Sequence, residues 1–231
     1  MFKFSGKLLI LALSLGIGIY PLLVQAEEDS STTTTPPEKP SILQAIISLF
    51  RAPENRFISR GDSVCLISPS NSQAQLVWSD RPLFAWQGEM AQGEINLYAV
   101  DNNSKQLIWT ETISSRIQTI AYTGKQLQPG FTYDWELMAD GESFRHTIEL
   151  MPQPQREAIS DELITITKQL PSSDTTAEEL ARARADYFVS QKLGYDALQE
   201  LYSVENPSTE LAQEIADIED YLCNSTMNNE Q

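Results

Sequence analysis

Histidine is almost missing from this chain: His146 is the only one in 231 residues. That scarcity limits nucleophilic catalysis, because a Ser–His or Cys–His pair needs an imidazole as its base. It limits metal chemistry as well, since a site of Cys and His ligands has only the two cysteines, Cys65 and Cys223, besides it. Basic residues are also few, 16 Lys and Arg against 32 Asp and Glu, for a formal net charge of −16. Such a surface repels nucleic acid and anionic membranes at close range, so neither is an expected partner. A Gly-x-Ser-x-Gly turn, a phosphate-cradling glycine loop, a dinucleotide fingerprint and a calcium loop are all absent. No catalytic residue, cofactor or metal ligand is assigned from the sequence. His146 alternates with Phe144 and Ile148 on the apolar face of a strand, a structural position.

What is present begins with an export signal. Lys3 and Lys7 precede an apolar run from Leu8 to Val24, and Val24-Gln25-Ala26 supplies a cleavage site before Glu27. The run falls short of the about 20 apolar residues of a membrane span and holds Pro21 near its end. Residues 1–26 therefore read as a cleavable signal peptide, and the mature chain as periplasmic or secreted, with no membrane attachment after cleavage. The lost segment carries two lysines and no acid, which takes the net charge to −18. No cysteine near the boundary offers a lipid anchor. In an oxidising compartment Cys65 and Cys223 are a disulfide candidate, with two separate buried thiols as the alternative.

The rest of the chain changes period along its length. Residues 27–40 (EEDSSTTTTPPEKP) are polar and of low complexity, a spacer that cannot bury apolar surface. In 41–61, Ile42, Leu43, Ile46, Ile47 and Phe50 fall at helical spacing behind Ser41 as cap. From 62 to 151 the period is 2. Ile95-Leu97-Ala99, Tyr133-Trp135-Leu137 and Phe144-His146-Ile148-Leu150 each alternate with polar residues. Turn residues at Asp101-Asn102-Asn103-Ser104, Gln128-Pro129-Gly130 and Asp140-Gly141 separate about eight strands, the pattern of an antiparallel β-sandwich. Leu127 to Tyr133 looks like the tyrosine corner of fibronectin type III domains.

Residues 152–223 are helical. One helix is expected over Ser160–Leu170. A second starts at the capping box Thr176-Ala177-Glu178-Glu179, with Leu180, Ala183, Tyr187 and Phe188 on one face and Gly194 as its breaker. A third carries Ala197, Leu198, Leu201 and Tyr202. A fourth is expected behind Asn206-Pro207, with Leu211, Ile215, Ile218 and Leu222 on its apolar face. Leu193 to Ala197 with Asn206-Pro207 is similar to the middle of a tetratricopeptide repeat, in one copy where an array needs about three. Residues 224–231 read as a disordered end. The fold class is α+β: an immunoglobulin- or fibronectin III-like sandwich followed by a small helical region.

This order of features resembles a family of cyanobacterial exported proteins known only as a domain of unknown function. The residues that carry the resemblance are Cys65 before Pro69, the stretch Trp78-Ser79-Asp80-Arg81-Pro82-Leu83-Phe84-Ala85-Trp86, and Gln128-Pro129-Gly130 before Tyr133 and Trp135. Tyr195-Asp196-Ala197-Leu198 adds to them. The arginine- and glycine-rich start of that family is reduced here to Asn55-Arg56 and Arg60-Gly61. The resemblance implies a compartment and no chemistry.

Three functions remain open at this level. The first is a non-enzymatic interaction module with a protein partner. The second is a carboxylate-dependent hydrolase of wall or extracellular polysaccharide, which needs an Asp/Glu pair about 5–10 Å apart in a cleft. The third is an accessory or inhibitory protein that binds a partner chain by a strand edge. Trp78, Asp80, Arg81 and Trp109 are candidates for a binding surface, with core packing and a turn ion pair as the ordinary readings. Glu210, Glu214 and Asp217, with Glu219 and Asp220 beside them, would offer a hard cation a weak site or, more simply, form a solvated helix face.

Overall fold

The computed structural model describes residues 41–50, 64–69, 75–88, 90–101, 104–114, 118–171 and 175–224. The expected signal peptide (1–26), the expected 27–40 spacer, the 51–61 lead-in and the end of the chain after 224 lie outside the described residues. The chain is a mixed α+β protein with two sheets and five helices among those residues.

Helix α1 (Ile42–Phe50) opens the order, and the Ser41 hydroxyl accepts the Gln44 N–H at 3.3 Å as its cap. Strands β1 (Val64–Ser68), β3 (Leu83–Gly88) and β6 (Thr119–Ala121) form a three-stranded sheet in the order β1-β3-β6. A five-stranded sheet runs β2-β8-β7-β4-β5, from β2 (Gln75–Val77), β8 (Glu142–Leu150), β7 (Thr132–Ala139), β4 (Gln92–Asp101) and β5 (Ser104–Ser114). Every described pairing is antiparallel except β2 with β8, which is parallel and corrects the purely antiparallel expectation. The departure has a topological cause. β2 enters beside the outer edge of β8 in the same direction, and a pair so distant in sequence has no hairpin to oppose it.

Turn chemistry sets these registers. Asp140 and Gly141 have φ of 50° and 89° and join β7 to β8, as a two-residue hairpin with both central residues left-handed requires. Gly130, at φ 77°, closes the Gln128-Pro129 turn, where the Phe131 N–H donates to the Gln128 carbonyl at 3.3 Å. The Tyr133 hydroxyl then accepts the Gln128 N–H at 2.7 Å, so the corner read from the sequence is formed.

The two faces of the small sheet feed two cores. Val64 and Leu66 of β1 and Phe84 and Trp86 of β3 join Trp135, Leu97 and Ile148 of the large sheet in the sandwich core. Their neighbours Cys65, Ile67 and Ala85 face the other way, into a core shared with the helices. The molecule thus has three layers: five strands, three strands, then helices. A strand buried on both faces cannot alternate with polar residues, hence the continuous apolar runs at Val64–Ile67 and Leu83–Trp86.

The helical layer comprises α1 with α2 (Gln153–Gln169), α3 (Ala177–Ser190), α4 (Gly194–Tyr202) and α5 (Thr209–Asn224). It is therefore built from both sides of the sandwich in sequence, not only from the C-terminal segment. Helix α2 starts earlier than expected, because Pro152 stands at its N-cap and Pro154 in its first turn, where their missing N–H costs nothing. The capping box of α3 is formed as read: Thr176 and Glu179 exchange bonds at 2.7 and 3.1 Å. Its buried face is Ala181, Ala185 and Phe188, rotated from the expected Leu180 and Ala183 because small residues admit α4 closely. Gly194 does not break α3. Lys192, at φ 62°, ends it, with the Leu193 N–H on the Phe188 carbonyl and its own N–H on Val189, both at 2.9 Å. Gly194 instead begins α4, where a Cβ would lie 3.0 Å from the Phe50 ring. Ser208, rather than Asn206, caps α5, accepting the Leu211 N–H at 3.1 Å. Glu178 orients it by accepting both the Ser208 N–H and its hydroxyl.

Cys65 of β1 and Cys223 in the last turn of α5 are joined by a disulfide with Cα atoms 5.9 Å apart. Among the described residues no helix is long and apolar enough to cross a membrane.

Candidate functional site

Two stretches singled out in the sequence, Trp78–Trp86 and Tyr195–Leu198, meet between the helices and the sandwich. Asp196 is 3% exposed, and its carboxylate accepts the backbone N–H groups of Trp78 and Ser79, both at 2.9 Å. One turn on, the Gln199 amide donates to the Ser79 hydroxyl (3.0 Å) and the Arg81 carbonyl (3.2 Å) and accepts the Leu83 N–H (3.2 Å). Helix α2 closes the third side. Arg156 donates to the Trp78 carbonyl at 2.9 Å and pairs with Asp80 at 3.0 Å, while the Trp78 indole N–H donates to the Arg156 carbonyl. The segment between β2 and β3 has no ladder partner for these groups, so α4 and α2 satisfy backbone that would otherwise be buried and unpaired.

The four sequence candidates are not gathered at one place. Trp78 packs on Phe188, ring centroids 5.4 Å apart, with Arg156 over its ring at 6.0 Å. Asp80 pairs with Arg156 rather than with its neighbour Arg81, whose guanidinium donates to the Gly124 carbonyl at 3.1 Å. Trp109 lies against Phe84 and Tyr122 and donates to the Thr123 hydroxyl. The two tryptophans serve different cores. His146, half-buried, lies 6.2 Å from the Trp135 ring.

Among the described residues the carboxyls whose pKa is raised are Asp196, Glu200 and Glu219, all by burial. The Asp196 carboxyl is pushed up to about 6 against the pull of its two amide hydrogen bonds. Glu200 is raised despite Arg184 at 2.9 Å, and Glu219 despite the Tyr202 hydroxyl it accepts at 2.6 Å. Each is spent on holding one element to another. The acidic face expected on α5 is divided: Glu214 pairs with Arg182 of α3 and Asp220 accepts Gln87 of β3, while Asp217 accepts Gln213 within α5. Among the described residues no group of three or more His, Cys, Asp and Glu is placed to hold a metal ion.

The outer face of the large sheet carries a second polar system. Register sets Tyr98, Asp134 and Thr147 in one row and Asn96, Glu136 and Arg145 in the next. Asp134 accepts the Thr147 hydroxyl at 2.6 Å and pairs with Lys105. Burial works to raise Glu136, but hydrogen bonds from Ser143, Arg145 and Tyr98 outweigh it and hold the carboxyl below its ordinary range.

Beside this face runs β5, the longest strand at 11 residues, on the outer edge of the sheet. Among the described residues no strand pairs with its outer side. Leu107 and Ile108 on it are 51% and 37% exposed. A register shift leaves Ile108 without an opposite residue on β4. Sequence reasoning missed this edge because the run Leu107-Ile108-Trp109 says nothing of where its strand stands in the sheet order. It missed the Asp196 clasp too, although a lone acid within Leu193-Gly194-Tyr195-Asp196-Ala197-Leu198 was a usable signal. No protein-family model and no curated protein matches the chain.

Proposed function

We propose that this protein is an exported, non-enzymatic binding module that takes an extended segment of a partner chain as a sixth strand on β5. The observation that carries the reading is the outer edge of β5, on which no described strand pairs, with Leu107 and Ile108 exposed beside it. An added strand gains main-chain hydrogen bonds along the edge and apolar contact at those two side chains. The bulge at Ile108 and the charges of Lys105 and Glu111 guard the strand against indiscriminate pairing. A net charge of −16 opposes pairing with a second copy of the chain. The expected occupant is therefore a segment of a different protein, uncharged or basic.

The strand order and the Tyr133 corner support an immunoglobulin- or fibronectin III-like identity for the sandwich. Export into an oxidising compartment, and kinship with the cyanobacterial family, remain part of the same proposal. The disulfide supports the compartment. The hydrolase reading loses support because the carboxyls with raised pKa are committed to helix and backbone contacts.

Affinity capture of exported proteins with the wild-type chain and with Leu107→Lys/Ile108→Lys, followed by binding of the purified partner, tests the reading. Retention by wild type and loss by the folded variant are expected. Equal binding by both would overturn it.

A further inference from the structure

The clasp holds an unusual charge. Asp196 is buried, yet among the described residues no lysine or arginine forms an ion pair with it. The cation of α2, Arg156, has its guanidinium on Asp80 and the Trp78 carbonyl. The cation of α3, Arg184, is on Glu200, which stands one turn along α4 and adds its own negative charge. Two backbone amides of the 78–79 segment are all that directly neutralise the carboxylate. A buried carboxylate balanced mainly by dipoles, with Arg156 acting only from a distance, is costly to keep ionised. Its position makes that cost mechanical, since the same two bonds join α4 to the connection between the sheets.

We propose that Asp196 is a proton-controlled latch: neutral, it lets the helical layer close tightly on the 78–83 segment, and ionised, it loosens that grip. The disulfide between β1 and α5 keeps the layers tethered in both states.

The direction follows from linkage. Burial first, then Glu200, raises the closed-state pKa to about 6 from the ordinary 3.8, with the two amides and Arg156 opposing. The closed form therefore holds the proton more tightly than an opened form in which the carboxyl meets water. Closure is fully favoured below the ordinary value and is weakened as pH rises through the closed-state value. Between pH 5 and 7.5 the closed-to-open ratio falls about tenfold.

Hydrogen exchange on the full-length oxidised protein, corrected for the intrinsic pH dependence of amide exchange, tests the latch. Protection of the Trp78 and Ser79 amides is expected to fall about tenfold from pH 5 to 7.5, while β7 amides keep theirs. Asp196→Asn, which cannot ionise, should abolish that fall whatever its absolute protection. Glu200→Gln, which keeps the Asp196 bonds, should move the transition to lower pH. Protection that stays flat or rises with pH in the wild type overturns the proposal. So does a tenfold fall retained in Asp196→Asn, or, should that variant not fold, an unmoved midpoint in Glu200→Gln.

Discussion

Replacing both bridged cysteines, Cys65→Ala/Cys223→Ala, is the perturbation whose size the structure fixes best. The bond closes a loop of 158 residues. Chain-entropy reasoning for a loop of that length gives about 5 kcal/mol, as an upper value, lost by the unfolded chain when the bridge is made. The native state changes little by comparison. Cys223 is 7% exposed, and both side chains pack in the helical core, where alanine remains apolar. The variant should therefore keep its fold while losing most of that stabilisation, a large share of the roughly 5–15 kcal/mol typical of a domain. For a chain of this size about 5 kcal/mol corresponds to a fall of about 10–20 °C in the melting midpoint. Thermal unfolding followed by circular dichroism, without reductant, measures it at one neutral pH. A drop of only 1–2 °C would refute the reasoning, because it would mean that other contacts already hold the two ends together in the unfolded chain.

Two further predictions test packing and turn chemistry. Gly194→Ala places a Cβ about 3.0 Å from the Phe50 ring, so that ring must give by a few tenths of an ångström, at about 1–3 kcal/mol in urea unfolding. Phe50→Leu in the same chain should recover part of the loss, and additive losses would contradict the close-approach explanation. Tyr133→Phe removes the acceptor of the Gln128 N–H and should cost about 1–2 kcal/mol with the fold intact; an unchanged midpoint would mean that water replaces the corner bond.

The sequence by itself determined those features whose cause is local. Period-2 alternation marked β4, β7 and β8, and Asp140-Gly141 specified their hairpin because few residues accept two left-handed positions in succession. The capping box at Thr176 and the corner at Tyr133 likewise need only a handful of neighbouring residues. Cysteine count and placement raised the Cys65–Cys223 bridge as a candidate against two separate thiols. Tertiary structure decided the rest, since it depends on residues far apart in the chain. Gly194 reads as a helix breaker until Phe50 of α1 is brought against it. Asp80-Arg81 reads as a turn pair until Arg156, from another helix, takes the aspartate. Asp196 carries no role of its own in the sequence, and only its meeting with two amides 117 and 118 residues away makes it a buried clasp between α4 and the 78–79 segment. The open edge of β5 belongs to the same class, because strand order within a sheet is set by long-range pairing and by which faces must be buried.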